Sequence, residues 1–334
     1  MRLGRVKIKM NRHFAKLTLA SAVCLLMCAG CGKKQAQDEE VNIAYFPNIT
    51  HSQALMVKNE GALEKELGEN VKVNWMSFNA GPDEVTALFS GDIDIGYIGP
   101  IPAISANVKS KGDVVVVSGC ADGGMMLLAS PDSGIEVVAD LAGKNVAVPQ
   151  IGNTQHLVFL DLLAENNLAT TETGGNVTVT ATANAYILQL MQKGEIDAAC
   201  VPEPWAETLI NECGAKVICD ENEVWNKGSY PVAVVVARKE FMEDNPEIVE
   251  KFLKVHEETT DYLNGNAKEA MAAINKEIEL ATDKSIAVDI LEASLEHITF
   301  NCDVNADTVD AFSEICVREG FIAESLYEGF LQLK

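Results

Sequence analysis

Between Val41 and Ala237 the apolar positions fall into short β-rich runs separated by stretches with helical three-and-four spacing. The runs are Val41–Phe46, Val71–Phe78, Ile93–Ile98, Val114–Gly119, Met125–Ala129, Asn145–Val148, Val177–Ala181, Ala198–Val201, Lys216–Cys219 and Val232–Ala237. Strands alternating with helices predict an α/β protein, and the same alternation predicts largely parallel sheets. Beyond Ala237 the pattern is helical. Asn245 before Pro246 forms an N-cap and first-turn pair, and Ile248, Val249, Phe252, Leu253 and His256 share one face. Further helices open at Asn266, at Asp283 or Ser285, and at Asp307, the last closing near Gly320; these read as packing helices.

An internal echo gives the organisation. Leu88-Phe89-Ser90-Gly91-Asp92-Ile93-Asp94 returns 103 positions later as Met191-Gln192-Lys193-Gly194-Glu195-Ile196-Asp197. In each copy an amphipathic helix ends at a Gly suited to the left-handed cap, and a short buried strand follows. A polar loop precedes each helix, Phe78–Pro82 in one copy and Ala181–Asn184 in the other. Farther upstream, a strand runs into Asn48-Ile49-Thr50-His51 in one copy and Gly152-Asn153-Thr154-Gln155 in the other. The repeated order predicts two structurally equivalent lobes, with a period too long for a solenoid.

In open α/β sheets, ligands sit where strand ends feed helix N-termini. Six loops qualify: Phe46–Gln53, Asn79–Pro82, Gly99–Pro102, Cys120–Gly124, Gly152–Gln155 and Pro202–Trp205, and none contains Lys or Arg. An oxyanion held there is bound by helix N-termini and neutral donors. Asn48, Thr50 and Gln53 offer donors from one half, and Asn153, Thr154 and Gln155 from the other. Asn79, Gly99 and Pro100 belong to the same rims. Thr50, Asn153 and Thr154 equally suit helix caps worth about 1 kcal/mol each, and capping coexists with ligand contact. His51 has no nucleophile partner and reads as a ligand contact or helix-start residue. Glu203 beside Trp205 is a candidate ammonium site through charge and cation–π attraction; the alternative is a packed indole with the acid in solvent. Asp122, before Gly123 and Gly124, is either a second acid or a turn residue. Phe46 and Tyr230 are wall or core aromatics.

Charge and leader narrow the classes. The first thirty residues carry six basic side chains and no acid, so the remainder shifts from a net −23 to −29. That field disfavours nucleic acid. Leu17–Met27 is too short an apolar stretch to span a membrane, and it precedes Cys28-Ala29-Gly30-Cys31, which reads as a lipoprotein signal peptide over 1–30 with Cys31 lipidated. Residues 31–40 form a polar tether. Cys120, Cys200, Cys213, Cys219, Cys302 and Cys316 remain, with no CxxC pair or Cys/His cluster at metal-ligand spacing, so no metal is expected. Cys213–Cys219 and Cys302–Cys316 are the near-sequence disulfide candidates, and buried thiols are the expectation. GxSxG, HExxH, GxxxxGK and GxGxxG are all missing, so no enzyme and no cofactor are expected.

Tyr45–His51, Phe78–Pro82, Gly91–Tyr97 with Gly99-Pro100, Gly152–Gln155 and Val201–Trp205 together resemble the solute-binding lipoproteins of ABC importers. The branch is the nitrate, sulfonate and taurine group, and the likeness is strongest to aliphatic-sulfonate and taurine binders. The resemblance implies a two-lobed type II periplasmic-binding-protein fold with a ligand cleft between the lobes. Lobe 1 is then 41–122 plus 229–334, including the C-terminal helices, and lobe 2 is 123–228. It implies a monomer, anchored outside the cytoplasm by its N-terminal lipid, that closes on a sulfonate or taurine-like solute and docks on a permease with its ATPase. Nitrate, bicarbonate or a thiamine pyrimidine precursor are the alternative cargoes, and an enzyme or sensor on the same fold is the remote alternative.

Overall fold

A computed structural model describes residues 39–323 and 326–333. The leader, Cys31 and the tether as far as residue 38 lie outside the described residues. Glu39 and Glu40, expected in the tether, already belong to the first strand. In chain order the first part forms β1 (Glu39–Tyr45), α1 (Ser52–Glu60), α2 (Ala62–Leu67), β2 (Val71–Ser77), α3 (Gly81–Ser90), β3 (Ile95–Ile98), α4 (Pro100–Lys109) and β4 (Val114–Gly123). The middle part forms β5 (Met125–Ala129), β6 (Asn145–Val148), α5 (Thr154–Glu165), β7 (Thr178–Ala181), α6 (Asn184–Gln192), β8 (Ala198–Pro202), α7 (Trp205–Cys213), β9 (Lys216–Cys219) and α8 (Glu221–Val224). The last part forms β10 (Pro231–Arg238), α9 (Lys239–Asp244), α10 (Pro246–Thr282), α11 (Val288–Ser294), β11 (Ile298–Phe300) and α12 (Ala306–Arg318).

Two sheets result, one ordered β11-β4-β10-β3-β1-β2 and the other β7-β6-β8-β5-β9. The chain leaves the first sheet at Gly123-Gly124 and re-enters it through β10. Both sheets are mixed, which corrects the largely parallel expectation. β1 pairs parallel with β3, and β6 parallel with β7 and β8. β10 runs antiparallel to β3 and β4, β11 antiparallel to β4, and β5 antiparallel to β8 and β9. The first strand after each crossing arrives from the other sheet without a crossover helix of its own, so it enters reversed. β3 and β5 are buried along their whole length, and β10 up to its final Arg238, as continuous apolar runs in sheet centres should be.

The echo is structural as well as sequential. Gly91 (φ 77°) and Gly194 (φ 68°) end α3 and α6 in the left-handed region that a side chain would strain. Asp94 Oδ2 then accepts from Asn42 N–H at 2.9 Å, and Asp197 Oδ2 accepts from Asn145 N–H at 2.8 Å. Each carboxylate ties the start of the helix-to-strand return to the neighbouring parallel strand of its own half, Asp94 to β1 and Asp197 to β6.

The C-terminal helices are less one-sided than expected. α10 is continuous through the expected break, with Asn266 as a non-helical kink, and it packs on α1. His256 fixes it to the first sheet, with Nδ1 3.0 Å from Tyr97 Oη and Nε2 2.9 Å from Gly119 O. α11, however, packs on α7, and α12 touches both α4 and α5. The six cysteines among the described residues are free thiols.

Candidate functional site

The loops between strand ends and helix starts of the two sheets face one another around a crevice. Its empty volume, solvent at the mouth included, is about 350 Å³. The lining is drawn from both halves in register: Phe46 and Pro149, Thr50 and Asn153, His51 and Thr154, Gly81 and Asn184, Gly99 and Pro202 are each 103 positions apart.

Helix starts dominate this lining. Gly99 is the N-cap of α4, Ala80 of α3, Ala183 of α6 and Asn153 of α5. At α3, α4 and α6 no side chain caps the first turn; Pro82, Pro100 and Pro102 carry no N–H, and Tyr186 N–H is spent on Ala183 O, so the available first-turn donors are the N–H groups of Gly81, Asp83, Ile101, Asn184 and Ala185. At α5, Asn153 Oδ1 accepts from His156 N–H at 2.8 Å. Among the described residues no Lys, Arg, Asp or Glu lines the crevice, and His51 is the one titratable group there. Burial pushes its imidazole down to about 3, leaving it neutral. Phe46 N–H donates to His51 Nδ1 at 3.3 Å, which puts the ring proton on Nε2 as a donor. Thr154 Oγ1 and Asn184 Oδ1 are buried with no partner among the described residues. Neutral donors, helix dipoles and unspent polar atoms with no fixed charge suit a singly charged oxyanion.

Several contacts span the crevice. Trp205 Nε1–H donates to Asn48 Oδ1 at 2.7 Å, Asn79 Nδ2 to Pro149 O at 3.3 Å, and Gln150 Nε2 to Asp83 Oδ1 at 3.0 Å. A Cβ on Gly99 would stand 2.4 Å from Thr154 Oγ1, so the two rims meet at that glycine.

Of the expected site residues, Phe46, Asn48, Thr50, His51, Asn79, Gly99, Asn153, Thr154 and Gln155 line the crevice. The others do not. Gln53 is spent on packing: its Nε2 donates to Cys120 O at 2.7 Å and to Thr260 Oγ1 at 3.2 Å. Pro100 begins α4 behind Gly99, and Pro102 takes the lining place. Asp122 lies on β4, opposite Pro231 and Thr299; burial and the Asp303 charge raise its carboxyl, and Asn301 lowers it by hydrogen bonding. Gly123 forms the crossing between sheets, where a Cβ would meet His297 O at 2.6 Å. Tyr230 is core, edge-on to Trp225 at 5.8 Å. Trp205 supports Asn48 from outside the lining. Glu203 turns away from the crevice and is completely buried; its Oε2 accepts from Glu207 N–H at 3.1 Å and Ser294 Oγ at 3.0 Å. Burial pushes its carboxyl up to about 8, with the Glu207 and Glu221 charges acting in the same direction. Its carboxyl group is thus absent from the crevice lining among the described residues. Pro149, Asn184 and Val232 line the crevice without having been singled out as site residues. For Asn184, and for Pro149 opposite Phe46, the 103-residue offset was an available signal.

Two mixed sheets facing each other across a crevice of helix N-termini define the periplasmic-binding-protein fold. The alkanesulfonate-binding protein from Xanthomonas axonopodis pv. citri, solved with MOPS, superposes with a TM-score of 0.73 at 19% identity, covering 88% of this chain and 98% of that one. The chain belongs to the NMT1-like family, whose profile matches residues 34–278. A taurine-binding periplasmic protein of Escherichia coli is 32% identical over 221 residues, 66% of this chain and 65% of the relative. A putative aliphatic sulfonates-binding protein of the same species is 28% identical over 287 residues, 86% of this chain and 84% of the relative. These relatives bear the names of binding proteins, not of enzymes.

Proposed function

We propose that the protein is the extracytoplasmic solute-binding component of an ABC importer and captures a small organic sulfonate between two closing lobes. The lobes are the two sheets with their helices, residues 39–122 with 229–333 and residues 123–228. Residues 1–30 are removed as a signal peptide and the lipidated Cys31 is the anchor, a permease with its ATPase receives the cargo, and the protein performs no catalysis. The supporting observation is the crevice itself: free first-turn N–H groups at α3, α4 and α6, a neutral His51 and the unpartnered Thr154 hydroxyl, with no ionised side chain among the described residues that line it. A sulfonate carries one negative charge on three acceptor oxygens, which this set of donors can share. Closure is a population shift, because only the closed form touches the anion from both sides.

The displaced Glu203 sharpens the cargo. No carboxylate in the lining can pair with the ammonium of taurine, so a plain alkylsulfonate should bind at least as tightly as taurine. The small free volume favours a short chain, and it is also the observation that supports nitrate or bicarbonate as second candidates. A thermal-shift panel of methanesulfonate, ethanesulfonate, taurine, nitrate and bicarbonate tests this. A ligand at a hundred times its Kd stabilises by about 2.7 kcal/mol. The largest rise in Tm is expected with an alkylsulfonate. A rise with nitrate alone would reassign the cargo, and no rise with any anion would remove the solute-binding role.

A further inference from the structure

Away from the crevice, behind the crossing between the sheets, Glu203, Glu207 and His297 each present a ligand atom, all within 4.8 Å of one another. The three come from separate places: the end of β8, the first turns of α7, and the turn before β11. Glu221, at the start of α8, accepts from His297 at 3.0 Å through Nδ1. That bond places the ring proton on Nδ1 and leaves a lone pair on Nε2. Nε2 lies 3.6 Å from Glu207 Oε1, so two acceptors face each other. Something positive belongs between them.

A proton on Nε2 would satisfy that pair but not the third member. Glu203 is completely buried; its Oε2 already takes two hydrogen bonds, and its Oε1 has no partner among the described residues. A proton on Oε1 would have no acceptor, and a bare carboxylate oxygen there would lack any compensating donor. No Lys or Arg forms an ion pair with Glu203, Glu207 or Glu221 among the described residues. A single divalent cation answers all three deficits. It takes the Nε2 lone pair, one Glu207 oxygen and the orphaned Glu203 oxygen.

We propose that Glu203, Glu207 and His297 form a binding site for a divalent transition metal of the Zn²⁺ class, with Glu221 orienting the imidazole. One imidazole nitrogen with two carboxylates is a donor set that Zn²⁺ accepts, and ligand atoms about 2.1 Å from such a metal stand about 3.4 Å apart in a tetrahedral shell. The His297–Glu207 separation is close to that spacing. Glu221 on the far nitrogen is the carboxylate–histidine arrangement that fixes the ring and raises its basicity. The site is placed to matter mechanically. Gly123 packs against the His297 carbonyl, Glu203 follows the crevice residue Pro202, and Trp205 two residues on holds Asn48. A metal would clip the turn before β11, a strand of the first sheet, to α7 beside the second.

The test is calorimetric titration of ZnCl₂ into the full chain at pH 8 after EDTA treatment and dialysis, with melting followed in parallel. One saturable site per chain and a higher Tm are expected. His297→Ala and the near-isosteric Glu207→Gln should each weaken Zn²⁺ by about a hundredfold, and Glu221→Gln by about tenfold. Melting of each variant in EDTA separates lost metal from lost fold, and alkylsulfonate binding by the EDTA-treated variants separates this site from the crevice. No saturable Zn²⁺ binding, or binding that Glu207→Gln and His297→Ala leave unchanged, would overturn the proposal.

Discussion

The two halves of the molecule use one plan with unequal reinforcement. In both, an Asp after the helix-ending Gly grips a strand backbone of its own half, Asp94 on Asn42 of β1 and Asp197 on Asn145 of β6. In the first half Arg238 at the end of β10 adds a 2.7 Å bond to the other Asp94 oxygen. Among the described residues Asp197 has no corresponding cation. The returning strand thus locks the first half, and the second half is held by its own ladder.

The sharpest way to break the comparison is to remove both grips. Asp94→Ala leaves the largely buried Arg238 guanidinium with only the exposed Glu240 as its ion-pair partner, at 3.4 Å, and should destabilise by about 3 kcal/mol. Asp197→Ala loses one bond from a neutral donor, Asn145 N–H, and should cost about 1–2 kcal/mol. Urea unfolding of the two variants measures the gap, and equal losses would deny the asymmetry.

Acid probes the halves next. His51 accepts from Phe46 N–H in the first half, and His156 accepts from Gly152 N–H at 3.1 Å in the second. Burial pushes His51 down to about 3 and His156 down to about 4. Folded values below the unfolded 6.5 mean that this stability is complete above pH 6.5 and is lost as pH falls toward 3–4. At about 1.4 kcal/mol per unit, the loss at each site by pH 4 is on the order of 3 kcal/mol. His51→Gln and His156→Gln should each flatten the acid limb of a stability–pH curve.

Gly99→Ala then tests contact between the halves. The backbone at Gly99 (φ −68°, ψ 151°) accepts any residue, but the new methyl would collide with Thr154 Oγ1 at 2.4 Å. Tm without ligand should hardly change, while alkylsulfonate affinity should fall by about tenfold to a hundredfold, or about 1.4–2.8 kcal/mol. Unchanged affinity would show that the rims need not meet.

Most of this frame was legible in the residues because the signals are local. All ten anticipated strands form, since β-branched runs bounded by Gly, Asn and Pro carry their own period. The echo predicted matching rims because one helix-Gly-strand unit was written twice. Tertiary choices escaped. The direction of β5 and β10 depends on which sheet each joins, which no local pattern encodes. Gln53 resembles its loop neighbours Asn48 and Thr50, yet Thr260 on α10, 207 residues away, claims its amide. Glu203 sits in a rim loop as expected, but its side chain points to Ser294, and a loop's position does not fix a side chain's direction. β11 is three residues long, and only its pairing with β4 makes it a strand.

The central claim is that neutral groups in the crevice hold an anion. Calorimetric titration of ethanesulfonate into the native chain and into Thr154→Val tests it most directly, because Val keeps the shape and removes a buried hydroxyl that has no partner among the described residues. The account predicts a single saturable site in the native chain, about tenfold weaker binding in the variant, and no loss of Tm without ligand. Equal affinity in the two proteins would contradict it.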